Sequence, residues 1–309
     1  MLVQARVDFR KPDHKELTKQ GYTLVDMHVH SKYSDGINKI STILRKVKKL
    51  GIGIAITDHN EIKGCLEAIN LGDTYVIPGI ETNSDEGIHT LFYFYSKKDL
   101  EEFYYTTIYN KRRRNPYSFL KIGLADLIDR AKAYNCIISA AHPFSIAWTG
   151  MCKYAHRNYV DDALLERIDA IEVMTGSNLR KANLKAVEFA EKINKGITGG
   201  SDAHTLHEIG KVVTYAKERI NNRDFLESIL QHKSFVMGKE SQILHRAATH
   251  SVKIRAPLRD PITPLVKGIK YMTRREYKIR KIISPIREEI SLGYTKKKEQ
   301  IKRFFRKKT

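Results

Sequence analysis

The chain has 309 residues, 41% of them hydrophobic and 29% charged, with 55 Lys and Arg against 35 Asp and Glu and a net charge of +20. This is enough apolar material to bury a full core, as one large domain with an appendage or as two domains. No apolar run approaches the about 18 residues that cross a bilayer, the start MLVQARVDFRKPDHK is too charged for a secretory signal, and Cys65, Cys136 and Cys152 are an odd set at spacings that fit no zinc motif. A transmembrane protein and a disulfide scaffold are thereby excluded, and the expected address is the cytoplasm with reduced, buried thiols.

A charged arm over residues 1–20 precedes the first strand, YTLVDMHV, in which alternation points His28 and His30 one way and Met27 and Val29 the other. Asp35 follows in the loop. Apolar spacing at Ile40, Ile43, Leu44 and Val47 predicts a helix, with Gly51 as its stop. Strands IGIAIT, YVIPGIE and HTLFYFY come next. The connection KKDLEEFYYTTIYNKRRRNPY is read as a helix and then a basic loop, Lys111 to Arg114, a candidate for steering an anionic substrate. CIISAA, AIEVMT, a helix marked by Leu184, Val187, Ala190 and Ile193 with Gly196 as its stop, GITGG and KVVTYA complete the series. Strands alternating with helices predict a parallel sheet covered by helices, and about seven such units suit a closed barrel better than an open sheet.

The pattern changes near residue 245. Pro257, Pro261 and Pro264 suggest an extended linker, and a basic amphipathic helix is predicted beyond it, so the boundary is placed at 240. Residues 241–309 hold 20 Lys and Arg against 5 Asp and Glu, which is most of the excess positive charge. Such a tail either packs on its own domain or binds a polyanion, with nucleic acid preferred to an anionic membrane surface.

Ligand-type side chains recur at the strand ends. His28 and His30 finish the first strand, His59 follows the second in TDHN, Glu81 ends the third, His89 opens the fourth, His142 follows CIISAA, and Asp202 and His204 follow GITGG. With Asp35 these are nine residues, six of them from the chain's twelve histidines. The C-terminal ends of parallel strands are where sites are built, and nine imidazole and carboxylate ligands are too many for one ion, which implies two or three. His14, His156, His207, His232, His245 and His250 are read as structural. Asp26 and Asp58 are read as groups that orient the imidazoles, and Glu172 as structural or facing the site.

In order, HVHSKYSDG, TDHN, GIE, the histidine of HTLF, AHPF and GGSDAH resemble the motifs of the polymerase and histidinol phosphatase (PHP) domain family, across about residues 21–216. The resemblance implies an α/β fold, a distorted (β/α)7 barrel with a basic, mainly helical C-terminal extension, and a trinuclear site of manganese, zinc or iron. It assigns His28, His30, Glu81 and Asp202 to one ion, Asp35, His59 and His204 to a second, and Glu81, His89 and His142 to a third, with Glu81 bridging. Glu81, Asp202 and His204 are the residues it makes catalytic. Asp35 within SDG resembles the branch that cleaves nucleoside phosphates and nucleic-acid ends. The domain over 21–240 is then a metal-dependent phosphoesterase, expected to attack phosphorus with a hydroxide bridging two ions. Lys32, Arg180 and Lys181 are weaker candidates for holding substrate phosphate. A small-metabolite phosphomonoesterase of the histidinol-phosphatase type, and a nucleic-acid or membrane-binding module with a structural metal site, are the alternatives.

Overall fold

The computed structural model describes residues 2–145, 149–152, 162–217 and 221–240; the linker and basic tail at 241–309 lie outside the described residues. Ten strands form one sheet: β1 (Val7–Asp8), β2 (Thr23–Val29), β3 (Gly53–Ile56), β4 (Val76–Asn83), β5 (His89–Phe94), β6 (Cys136–Ala140), β7 (Ala170–Thr175), β8 (Gly196–Gly200), β9 (Val212–Ala216) and β10 (Phe235–Gly238). Their order is β1-β10-β9-β2-β3-β4-β5-β6-β7-β8. Helices Ile40–Leu50, Lys63–Leu71, Leu124–Ala131 and Arg180–Lys192 fill the connections, each with buried apolar residues on one face.

The expectation of a parallel sheet holds for β2, β3 and β4 and for β6, β7 and β8. It fails at β5, which is antiparallel to both neighbours, and at β9. The reason lies in the connection: residues 84–88 between β4 and β5 are far fewer than the dozen or so that a parallel crossover needs, and they turn back through Gly87 at φ 83°. Reversing β5 brings His89, at its start, to the rim where the other strands finish.

The run from β2 to β8 curls until its ends meet. Val29 bridges Ala203 in parallel, with His30 N–H donating to Ala203 O at 2.9 Å and Ala203 N–H to His28 O at 3.3 Å. Along the rest of β2, residues Thr23 to Val25 pair with β9 instead. The result is an α/β fold with a curled, half-barrel sheet closed only at one rim. Gly200 sits on the seam, where a Cβ would lie 2.5 Å from the backbone nitrogen of His28, so no larger residue fits.

The inside of the curl is filled from below. Val25, Met27, Ala55, Ile77, Leu91, Tyr93 and Ile137 form one apolar cluster with Phe225, Leu226 and Ile229 of the helix Asn222–Leu230. That helix lies where β4 and β8 begin and β5 ends: Phe225 packs on Tyr75, Ile229 faces Gly196, and Asn222 donates to Tyr95 O. Two expectations change here. Met27 and Val29 belong to different clusters, because the β2 register shifts between Asp26 and Val29. This irregularity leaves the apolar Met27 and the imidazoles His28 and His30 sharing the interior. Gly196 is the first residue of β8 rather than a helix stop; the helix ends at Lys192 and is capped by Ile193, followed by Asn194 at φ 50°.

Candidate metal centre

The rim above this plug is built from buried ionisable groups. Nine side chains from six strands and their loops converge there, and all of them are at least nine-tenths buried: His28, His30, Asp35, His59, Glu81, His89, His142, Asp202 and His204. Glu81 is at the middle. Its Oε1 lies 3.1 Å from His89 Nδ1 and 3.1 Å from His142 Nε2, and its Oε2 lies 3.0 Å from His59 Nδ1, 3.3 Å from His28 Nε2 and 3.4 Å from His30 Nε2. Asp202 Oδ1 is 3.2 Å from His30 Nε2 and 3.6 Å from His28 Nε2. Asp35 Oδ2 is 3.0 Å from His204 Nε2 and 3.6 Å from His59 Nε2. Four sets have donor atoms within 4.8 Å of one another: His28, His30 and Asp202; His30, Asp35 and His204; His30, His59 and Glu81; Glu81, His89 and His142.

Some of these atoms are hydrogen-bonded to each other, as Glu81 Oε1 is with His89 and His142 and Asp35 Oδ2 is with His204, but others are not. His30 Nδ1, His59 Nδ1, His89 Nε2 and Glu81 Oε2 are buried and make no hydrogen bond among the described residues. A buried polar atom without a partner is costly. His59 Nδ1 and Glu81 Oε2 are only 3.0 Å apart, yet neither makes a hydrogen bond with the other. Misaligned neighbours of this kind are what ligands look like when their lone pairs converge on a third point. Nitrogen and carboxylate donors of this number fit first-row divalent ions, so the residues present fit the group that their chemistry implies.

The electrostatics of these groups run in two directions. Burial, reinforced by the facing His204 and His59, holds His30 down to about 3, and burial holds His89 down to about 3. For Asp35, burial opposes ionisation but His204, His59 and His30 outweigh it and hold the carboxyl well below its usual range. Glu81 is held low in the same way, burial being outweighed by His59, His28 and His89. Burial also opposes charge on His28, yet Glu172, Glu81 and Asp202 raise it well above the ordinary imidazole range.

Several further groups hold this rim in place. Glu172, fully inside on β7, accepts from His28 Nδ1 at 2.9 Å, from the His142 backbone N–H at 2.6 Å and from Thr175 Oγ1 at 2.9 Å, so it fixes two ligand segments at once. Asp26 and Asp58 orient no imidazole; both bind the loops that carry ligands. Asp26 accepts from Ser201 N and Oγ and from Gly210 N, which seats the segment containing Asp202 and His204. Asp58 accepts from Ser31 N, Ser31 Oγ and Ser34 Oγ, which seats the loop ending in Asp35. Burial pushes both carboxyls up to about 6 against these hydrogen bonds. Ser177 Oγ donates to Asp202 Oδ2 at 2.5 Å, and Glu208 accepts from the backbone N–H of His204. His142 at φ 27° and Asp202 at φ 51° occupy backbone conformations that side chains disfavour, a strain often stored at functional sites.

The weaker candidates are placed differently. Lys32 is exposed beside the Asp35 loop, with its ammonium 4.9 Å from the Tyr33 ring centroid. Arg180 is bound to Glu240 at 2.6 Å and lies over Phe9, and Lys181 is exposed on the next position of the same helix. In the basic loop, Arg112 is bound to the buried Glu61 at 2.6 Å. None of the described helices is long and apolar enough to cross a membrane.

The PHP domain family matches residues 26–177, and a family described as PHP-associated matches residues 180–234. An uncharacterised protein of Methanocaldococcus jannaschii is 28% identical over 209 residues, which cover 65% of this chain and 74% of that one. Among solved structures, the lesion-specific endonuclease of Pyrococcus furiosus superposes with a TM-score of 0.56 at 18% identity, over 70% of this chain and 57% of that chain. Endonuclease Q in complex with a 27-mer duplex carrying an abasic lesion superposes with a TM-score of 0.54, also at 18% identity, over 67% and 56%. At that identity the likeness is one of fold, and the chain spans little more than half the length of these endonucleases.

Proposed function

We propose, on the premise that this chain is a member of the PHP family and so a metal-dependent hydrolase, that it hydrolyses a phosphate ester of a nucleotide or of an oligonucleotide 5′ end. The observation that carries the reading is the cluster of nine buried ligand-type side chains, four of whose donor atoms lack a hydrogen-bond partner among the described residues. Residues 21–240 are taken as the catalytic domain, a distorted (β/α)7 barrel of the PHP type. His28, His30, Glu81 and Asp202 would hold one ion, Asp35, His59 and His204 a second, and Glu81, His89 and His142 a third, with manganese, zinc or iron as the candidates. Bound ions would supply Lewis-acid polarisation of the phosphoryl group and acidification of the attacking water.

The chain's own residues supply the rest. Glu172 fixes the His28 ring by holding its Nδ1, which leaves Nε2 facing the centre. Ser177 and the Asp26 clamp aim Asp202, and Asp58 seats Asp35. The apolar plug of Met27, Leu91 and Tyr93 excludes water from beneath, so reactants enter only from the rim. A nucleic-acid substrate is favoured over a small metabolite by the endonuclease neighbours and by the basic segment 241–309, which would concentrate polyanions near the site. The test is turnover by the metal-loaded chain on a panel of nucleotides, 5′-phosphorylated oligonucleotides, histidinol phosphate and bis(p-nitrophenyl) phosphate. Cleavage confined to the small metabolite ester would replace the nucleic-acid reading, and no cleavage of any ester would end it.

A further inference from the structure

Between β5 and the helix Leu124–Ala131 the chain makes a long excursion, and its surface differs from the rest of the described molecule. The helix Lys97–Phe103 runs on into a π-helical turn, Tyr104–Ile108, and then a loop. Among the described residues the only exposed aromatic side chains are Tyr105, 55% exposed, and Tyr109, 48% exposed. They are neighbours, with ring centroids 5.7 Å apart. Elsewhere among the described residues the Phe and Tyr rings are buried or half-buried. Two wet rings side by side are therefore a local exception.

Directly after them comes the run Lys111-Arg112-Arg113-Arg114. Arg112 does not serve as a surface cation: it is bound to the buried Glu61 at 2.6 Å, with its guanidinium 5.0 Å from the Tyr109 ring centroid. Glu61 is two residues past His59, and Tyr104 Oη also donates to it at 3.2 Å. Arg112 thus fastens the aromatic pair to the edge of the metal centre. The other three cations, Lys111, Arg113 and Arg114, are exposed, and Arg113 also donates from Nε to Phe119 O at 3.3 Å. The loop then returns to the site. Asn60, at φ 50°, donates to Pro116 O and Ser118 O, and Asn83 donates to Tyr117 O, which places the half-buried Tyr117 ring edge-on to His59 at 5.1 Å.

We propose that this strip, from Tyr105 and Tyr109 past Lys111, Arg113 and Arg114 to Tyr117, is a binding track for single-stranded nucleic acid leading to the metal centre. The inference rests on the phosphoesterase reading and specifies its substrate class. Cations spaced along a strip with exposed rings are the two elements by which proteins hold single strands: phosphates pair with the cations, and unstacked bases lie on the rings. A duplex keeps its bases stacked inside and would use the cations only. Tyr117 is the residue of the strip that meets the ligand shell, so the strand's terminal or scissile phosphate would be delivered past it.

The test uses the full chain, with its basic tail present in every variant, and reads binding separately from chemistry. In a Glu81→Gln background, fluorescence anisotropy measures the affinity for fluorescein-labelled single-stranded oligo(dT) and for a duplex of equal length. Tyr105→Ala with Tyr109→Ala should weaken single-strand binding at least about 10-fold and duplex binding much less. Arg113→Glu with Arg114→Glu should weaken both and flatten their salt dependence. With Glu81 restored, each variant should keep the circular dichroism spectrum and the bound-metal content of the parent, which shows that the site is folded. Single-strand affinity within about two-fold of the parent in both variants, or an equal loss for single strand and duplex on removing the tyrosines, overturns the track. Failure of the phosphoesterase reading looks different, as absence of turnover on every ester by the unsubstituted chain.

Discussion

The two ends of the curled sheet use the same strands for opposite purposes. At the lower end Val25, Met27, Leu91, Tyr93, Phe225, Leu226 and Ile229 are fully buried, and the one polar atom among their side chains, Tyr93 Oη, donates to Met27 O at 2.8 Å. At the upper end the same β2, β4 and β5 carry His28, Glu81 and His89, also buried, and Glu81 Oε2 and His89 Nε2 make no hydrogen bond among the described residues. The strained residues Asn60, His142 and Asp202 are at the upper end as well. Buried apolar area stabilises a fold, whereas buried unpaired polar atoms and left-handed backbone cost it of order 1–3 kcal/mol each. The comparison points to a division of labour: the lower half, where Tyr75 Oη is also buried without a partner among the described residues, makes the molecule fold, and the upper half gathers groups that ions would satisfy.

That division can be broken from either side. The largest effect is expected from Glu81→Gln, whose carboxylate touches five imidazoles: turnover should fall about 10³-fold or more and bound metal should drop, while circular dichroism stays that of the parent. Retained turnover at full metal content would remove Glu81 from the centre. Phe225→Ala should do the reverse, lowering stability by about 3–5 kcal/mol in denaturant titration and leaving kcat per folded molecule unchanged; an equal loss of kcat would show that the ends are not separable. Chelation should abolish activity and lower the melting temperature by several degrees without unfolding the chain, because ions stabilise the native state only by their own binding energy. Gly200→Ala sharpens the comparison at the seam: forcing a methyl group against His28 should cost about 1–3 kcal/mol and weaken metal retention together. The smallest effect is expected for Arg180→Ala, whose cation is occupied by Glu240, with turnover on a small ester within about two-fold of the parent.

Much of the upper end was legible in the sequence because metal-ligand chemistry leaves few residue types to choose from, and because strands in a row repeat the same exit point. His28, Glu81, His142 and Asp202 each stand at or just past the end of an apolar run. What was not legible depends on pairing and on contacts far along the chain. The reversal of β5 follows from a connection of only five residues, 84–88, a signal that was present but lost beside the series of parallel units. The irregularity in β2 that turns both Met27 and His28 inward has no mark in VDMHV, because strict alternation is the default reading of such a run. Asp26 and Asp58 were expected beside imidazoles, their neighbours in sequence; they bind backbone N–H groups and serine hydroxyls of the ligand loops, in the case of Asp26 contacts 175 and 184 residues away. Glu172 stood one position from an apolar residue on each side and gave no sign that it would reach two ligand segments.

The seam between β2 and the end of β8 sets a timetable for the newly made chain. The bonds that seat the last ligands beside the first span 169 residues from Asp35 to His204 and 175 from Asp26 to Ser201. At about 5–20 residues per second of synthesis, His28, His30 and Asp35 emerge roughly 10–30 s before Asp202 and His204 can join them. Through that interval the early histidines form an incomplete chelate, and they can hold an ion only as loosely as an unfolded pair does. Metal selection by a centre built from these residues would therefore be postponed to the closing of the rim, and the ion pool that matters would be the one present when the final strand docks.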